Sequence, residues 1–161
     1  MDRHFRKIDI IVFALCLAVA IGMILYLVIT WKTIPDKIPG KFTSSGEILS
    51  YESKVYLFSC PVALFFLVIS LAVVSMFPTA WNIPTVKVTP ENEPFIRVCI
   101  RNMMNIMLIL ITATMTGTFI FLVKGKATPV WLFLGLGVLF VVNTVFWIIR
   151  TIKVAKLHTK A

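Results

Sequence analysis

Charge is scarce in this chain. Only 14% of its 161 residues are Asp, Glu, Lys or Arg, about half the roughly 25% of a soluble domain, while 59% are apolar. Those figures exclude a disordered chain, a secreted disulfide scaffold and an ordinary soluble enzyme. They leave an integral membrane protein of one domain. Acidic residues are scarcest of all, seven against sixteen Lys and Arg, for a formal charge of +9. In a soluble protein that excess would point to nucleic acid. Such a role needs a separate basic domain, which the sequence does not offer, so no nucleic-acid partner is expected.

Histidine and cysteine are also rare. His4 and His158 stand near the two ends, where solvated bystanders are the plainer reading. Cys16 lies inside the first span, Cys60 near the outer end of the second and Cys99 near the inner end of the third, so neither a disulfide nor a metal site is expected, and no cofactor.

What is present is four uncharged runs: residues 10–31, 55–77, 102–123 and 127–149, of 22, 23, 22 and 23 residues. Each meets the requirement of about 20 residues for a bilayer-crossing helix. In hydrocarbon a helix satisfies every backbone group within the segment. The first run holds 13 Leu, Ile, Val or Phe residues, favouring insertion by about 4–8 kcal/mol. The third holds only 10, beside Asn102, Asn105 and four threonines, so it should lean on its neighbours. Trp31, Trp81, Trp131 and Trp147 lie near run ends, as interfacial tryptophans do. Asp2 to Lys7 and Ala18-Val19-Ala20 have the form of a signal peptide, but the apolar run continues to Thr30, which favours a retained anchor. Cys16 follows Leu15 rather than a small residue, so it makes no lipoprotein box.

The predicted architecture is all-α: a four-transmembrane-helix bundle with a short extracellular β-hairpin-like loop between the first two helices. Its helices span about 8–31, 55–77, 98–123 and 128–150, with an outer loop at 32–54, a cytoplasmic loop at 78–97 and a basic tail at 151–161. With both termini cytoplasmic, ten Lys and Arg lie inside against six outside, and all five arginines are inside. In the tail Arg150, Lys153, Lys156 and Lys160 recur every three or four residues. A helix prolonged out of the fourth span would carry them as a stripe facing anionic lipid.

The runs contain no Asp, Glu, Lys, Arg or His. A proton-driven transporter, an intramembrane hydrolase or a metal pump would need such a group at depth, so no enzymatic activity is expected. The polar content lies in the last two runs. Asn102, Asn105, Thr112 and Thr116 share one helical face, and Asn143 can meet them from the fourth helix. That face is either a polar groove for a ligand or interhelical hydrogen bonding, and the second is favoured. Ala14, Ala18 and Gly22 form a small-residue stripe, as do Ala113 and Gly117, which packing within the bundle explains. Pro61 should kink the second helix or mark its true start.

Two connections carry information. Residues 78–94 hold four prolines, and Thr89-Pro90-Glu91-Asn92-Glu93 is suited to start a helix along the membrane surface ahead of the third span. Residues 32–53 are long for so compact a chain. Lys41-Phe42-Thr43 and Glu47-Ile48-Leu49 read as two very short strands about the Ser44-Ser45-Gly46 turn. Pro35 and Pro39 stiffen the approach, and Phe42 and Tyr51 suit the headgroup level. The loop serves either recognition or as a cap over the helix ends.

Ile34-Pro35-Asp36-Lys37-Ile38-Pro39-Gly40-Lys41-Phe42, then Gly46, then Tyr51-Glu52-Ser53-Lys54 running into a span, resembles a bacterial membrane domain of unknown function. That domain is found in the N-terminal part of SdpI-type toxin immunity proteins. The resemblance covers about residues 8–78. It departs from the family where Lys41 stands in place of a His, Thr43 in place of Asn or Asp, and Leu49 about where the family has an acidic residue, so metal or proton chemistry resting on that His does not carry over. The resemblance implies a small polytopic protein of a Gram-positive type plasma membrane, concerned with immunity or envelope signalling.

The candidate recognition residues of the outer loop are therefore Pro35, Pro39, Lys41, Phe42, Gly46, Glu47, Tyr51 and Lys54. Those of the polar helix face are Asn102, Asn105, Thr112, Thr116 and Asn143. The expected function is binding, of a membrane-active peptide or of a partner membrane protein, within a bilayer containing anionic lipid. The alternative is an accessory subunit of a transporter complex, coupled through the loop around Glu91 and Glu93.

Overall fold

The computed structural model describes residues 6–43, 46–77 and 87–157. Expectations resting on Arg3, His4, Ser44, Ser45, Pro78, Trp81, Pro84, His158 and Lys160 lie outside them. In chain order the elements are helix α1 (Lys7–Thr30), strands β1 (Lys37–Phe42) and β2 (Ile48–Ser53), a 3₁₀ turn (Lys54–Phe58), and helices α2 (Ser59–Met76), α3 (Glu93–Val123) and α4 (Val130–Leu157). The 31 residues of α3 make a rod about 46 Å long. α1, α3, α4 and the 3₁₀ turn with α2 are each long and apolar enough to cross a bilayer.

Three of these helices share a core. α1 contributes Cys16, Ala20, Met23 and Leu27, and α2 with its 3₁₀ turn contributes Leu57, Cys60, Leu64 and Val68. α3 adds Leu108, Phe119 and Leu122. The spacings of three and four along α1 make one seam, as in coiled-coil packing. α4 packs principally on α3 through a buried row four residues apart: Asn143, Trp147, Thr151 and Ala155. Outside the seams, large apolar side chains face outward on every helix, among them Leu15, Val28, Phe66, Ile109, Leu134 and Val141. Water would not tolerate so continuous an apolar surface, whereas lipid does. The pattern is that of a multi-pass membrane protein.

α1, α3 and α4 extend past their uncharged runs at one end, whereas α2 lies within its run, whose first four residues belong to the 3₁₀ turn. α3 begins at Glu93, five residues before the expected 98, and is one continuous helix rather than a surface segment followed by a span. Thr89 and Asn92 start it reciprocally: the Thr89 N–H donates to Asn92 Oδ1 at 2.8 Å and the Asn92 N–H to Thr89 Oγ1 at 3.4 Å, with Pro90 between them. α4 continues to Leu157, since Arg and Lys are good helix formers and do not stop a helix where lipid ends. Pro61 is the third residue of α2, a first-turn position whose N–H has no intrahelical acceptor, so it marks the start.

The small-residue stripes divide. An added Cβ at Gly117 would lie 2.9 Å from Leu132 Cδ2, so α3 and α4 do approach closely there. Ala14, Ala18 and Gly22 are exposed, and a Cβ at Gly22 would meet nothing within 4 Å. Packing within the bundle therefore does not explain that stripe. The neighbouring row through Cys16 and Ala20 makes the contact instead.

Candidate functional site

The loop between α1 and α2 is an antiparallel hairpin longer than the sequence implied, six residues a side. Lys37 pairs with Ser53, Ile38 with Glu52, Pro39 with Tyr51, Lys41 with Ser50 and Phe42 with Ile48, with irregularities on either side of Lys41. The turn is closed by the Thr43 N–H donating to Glu47 O at 2.8 Å and the Glu47 N–H donating to Thr43 Oγ1 at 3.0 Å. Gly46 takes φ +88, a left-handed conformation that glycine adopts without a Cβ clash. Gly40 answers a different need, because a Cβ there would sit 2.1 Å from Glu52 Cγ.

Three devices fix the hairpin to the bundle. Ile38 is buried in the common core, worth roughly 1.5–3 kcal/mol as a fully buried aliphatic side chain. The Pro39 ring lies against Gly125 in the turn between α3 and α4, 3.6 Å from where a Cβ would be. The third device is Lys54. Its Nζ is 2.8 Å from Asp36 Oδ1, 3.5 Å from the Trp31 carbonyl oxygen and 4.8 Å from the centre of the Trp31 ring. The Lys54 N–H donates to the Asp36 carbonyl at 3.0 Å, and the Trp31 ring packs on Phe58 at 5.5 Å. The hydrogen bond and charge of Lys54 hold the Asp36 carboxyl below its ordinary range. Lys54, one of the expected recognition residues, is thus engaged inside the molecule.

Of the other expected loop residues, Pro35, Lys41, Gly46, Glu47 and Tyr51 are exposed, while Pro39 and Phe42 are half-buried. Across the strands Pro39 and Tyr51 are brought together.

The polar face of α3 does not form one groove. Thr112 bonds the Leu108 carbonyl of its own helix, and Thr116 Oγ1 lies 4.0 Å from Met23 Sδ. Asn143 Nδ2 donates to the Met103 carbonyl at 3.4 Å, joining α4 to α3. Asn102 and Asn105 instead belong to a charged node at the end of the bundle opposite the hairpin. Asp9, its side chain 2% exposed, accepts from Arg6 Nη2 at 2.8 Å, Arg6 Nε at 3.2 Å and the Arg6 N–H at 3.1 Å. Asn105 Nδ2 donates to it at 2.7 Å, and Arg101 Nη1 stands 3.9 Å away. Arg6 Nη2 also donates to Asn102 Oδ1 at 2.7 Å. The node caps α1, where a carboxylate in the first turn is favoured, and ties it to α3.

Sequence reasoning missed Arg6, Asp9 and Arg101. Counting charge-free runs placed Asp9 one residue outside the first. A signal existed: Asp9 is seven residues before Cys16, a spacing that continues the α1 seam and carries a carboxylate onto the packed face.

All three cysteines are buried free thiols. Among the described residues no group of three His, Cys, Asp or Glu side chains is placed to hold a metal ion. Comparisons with models of known families, with curated proteins and with solved structures found no match for this chain.

Proposed function

We propose that this chain is a non-enzymatic membrane protein that acts by binding, in the plasma membrane of a bacterium, with both termini cytoplasmic and the hairpin outside. The observation that carries the reading is that the hairpin is fixed at its root yet displays Lys41, Glu47 and Tyr51 outward. A rigid element loses little conformational entropy on binding, which favours recognition over a passive cap. The resemblance of residues 34–54 to the SdpI-type domain supports immunity to a membrane-active peptide, or envelope signalling, as the purpose. On the cytoplasmic side the exposed Arg150, Lys153 and Lys156 of α4 would each gain about 1 kcal/mol from anionic headgroups.

The test is survival. A deletion strain is expected to be more sensitive to membrane-active peptides, and the parent gene to restore resistance where Lys41→Ala with Tyr51→Ala does not. Equal survival of all strains across a peptide panel and under envelope stress refutes this function.

A second reading rests on α4. It packs principally on one neighbour and leaves Leu134, Val138, Val141, Val142 and Val145 uncovered, as a helix in a larger assembly would. An accessory subunit of a transporter would then couple through the loop near α3, where Glu93 is paired with Arg97 and Glu91 is exposed. Co-purification with a transporter, with peptide resistance unchanged, would favour it.

A further inference from the structure

The exposed side of the hairpin does not stop at the hairpin. Leu49 and Tyr51, alternate residues that a strand places on one face, are 65% and 61% exposed on β2, and Val55 in the 3₁₀ turn that follows is 60% exposed. Tyr56 follows, and then the uncovered stripe of α2: Val62, Phe66, Ile69 and Val73. With α2 crossing a bilayer, that stripe faces lipid, and the exposed residues of β2 lead into it through the 3₁₀ turn. Interfacial tyrosines are at home at this level.

Charge gives the same direction. The segments at this end, residues 31–54 and 124–129, hold six lysines against the three carboxylates of Asp36, Glu47 and Glu52. Lys54 is paired with Asp36. Lys32, Lys37, Lys41, Lys124 and Lys126 are exposed or half-buried at most and form no ion pair among the described residues. An apolar row collared by unpaired cations complements an anionic lipid surface.

We propose that the hairpin lies on the bilayer, with Leu49, Tyr51 and Val55 seated among the headgroups and the lysine collar drawing anionic phospholipid to it. This goes beyond peptide recognition and stands without it, because no peptide enters the test. Its bearing on that function is that a ligand would be met at the membrane surface rather than in bulk water.

The experiment places an environment-sensitive NBD dye on Leu49→Cys, and separately on Tyr51→Cys, in nanodiscs of phosphatidylcholine with or without phosphatidylglycerol. Cys16, Cys60 and Cys99 are buried, so the unsubstituted protein sets the labelling background. The expected result is blue-shifted emission that headgroup-spin-labelled lipid quenches and aqueous iodide does not. Neutralising Lys37, Lys41 and Lys124 to Gln should weaken the hairpin's hold by about fivefold per lysine in phosphatidylglycerol discs. A dye quenched freely by iodide and unaffected by the lipid quencher overturns the proposal. So does a dye shielded from both, which would mean that a second copy covers the row. An identical response with and without phosphatidylglycerol overturns the role of the collar. Circular dichroism of each labelled variant verifies that the helices are intact.

Discussion

Replacing Asp9 by asparagine keeps the shape of the side chain and removes its charge, leaving Arg6 and Arg101 facing each other across a site built around an anion. The Asp9 side chain is 2% exposed and that of Arg101 10%, whereas Arg6 is 29% exposed. Stranding one member of a buried pair costs about 3–5 kcal/mol. Arg6 can recover some water, and the new amide still accepts one hydrogen bond, so Asp9→Asn should cost about 2–3 kcal/mol. That is a roughly 30- to 150-fold shift in the folding equilibrium. The assay is unfolding in mixed micelles by titration with SDS, followed by circular dichroism. A loss below about 0.5 kcal/mol, the size of an ordinary surface substitution, would refute the reasoning. A second variant separates charge from packing. Asp9→Leu with Arg101→Leu removes carboxylate and guanidinium together, and should recover much of the loss because no charge is left deeply buried. If the double variant is no better than Asp9→Asn, the stranded charge is not the cause.

Further expectations concern the hairpin and the orientation. Gly40→Ala forces a Cβ into the Cγ and Cβ of Glu52 and should raise proteolytic cleavage within residues 37–53; in a Glu52→Gly background, where both atoms are gone, the same substitution should add little, and an equal increase there would exclude the clash as the cause. Asp36 titrates below its ordinary value of 3.8 when Lys54 is beside it, so the contribution of the pair is complete above that pH and is lost as pH falls through the lower, folded-state value. Protection of the hairpin should therefore weaken only in that acid range, and Lys54→Met should abolish the acid dependence. Reporter fusions after Gly46 and at Ala161 should fall on opposite sides of the membrane, and finding both outside would contradict the orientation.

Much of the architecture was legible in the chain because of one physical constraint. Lipid offers no hydrogen bonds, so a membrane helix must be long, apolar and continuous, and that leaves countable runs in the sequence. The hairpin was legible for a local reason as well: proline, glycine and alternating residues specify a turn and its strands at short range. Its full length was not, since pairing from Lys37 to Ser53 is sustained by the burial of Ile38 in the core that the helices share. Nor was the engagement of Lys54, which depends on where Trp31 at the end of α1 comes to rest.

Sequence by itself determined which segments suit lipid and where charge is tolerated at their ends. It did not determine which face of each helix meets another. Within its uncharged run every face of α1 is apolar, so composition cannot tell a seam from a lipid-facing surface, and the stripe of Ala14, Ala18 and Gly22 read as packing when it is exposed. Only the tertiary structure decided that, together with the pairing of Asp9 on α1 with Arg101 and Asn105 on α3. Those residues are more than 90 positions apart in the chain, and what joins them is the cost of burying a charge without its partners.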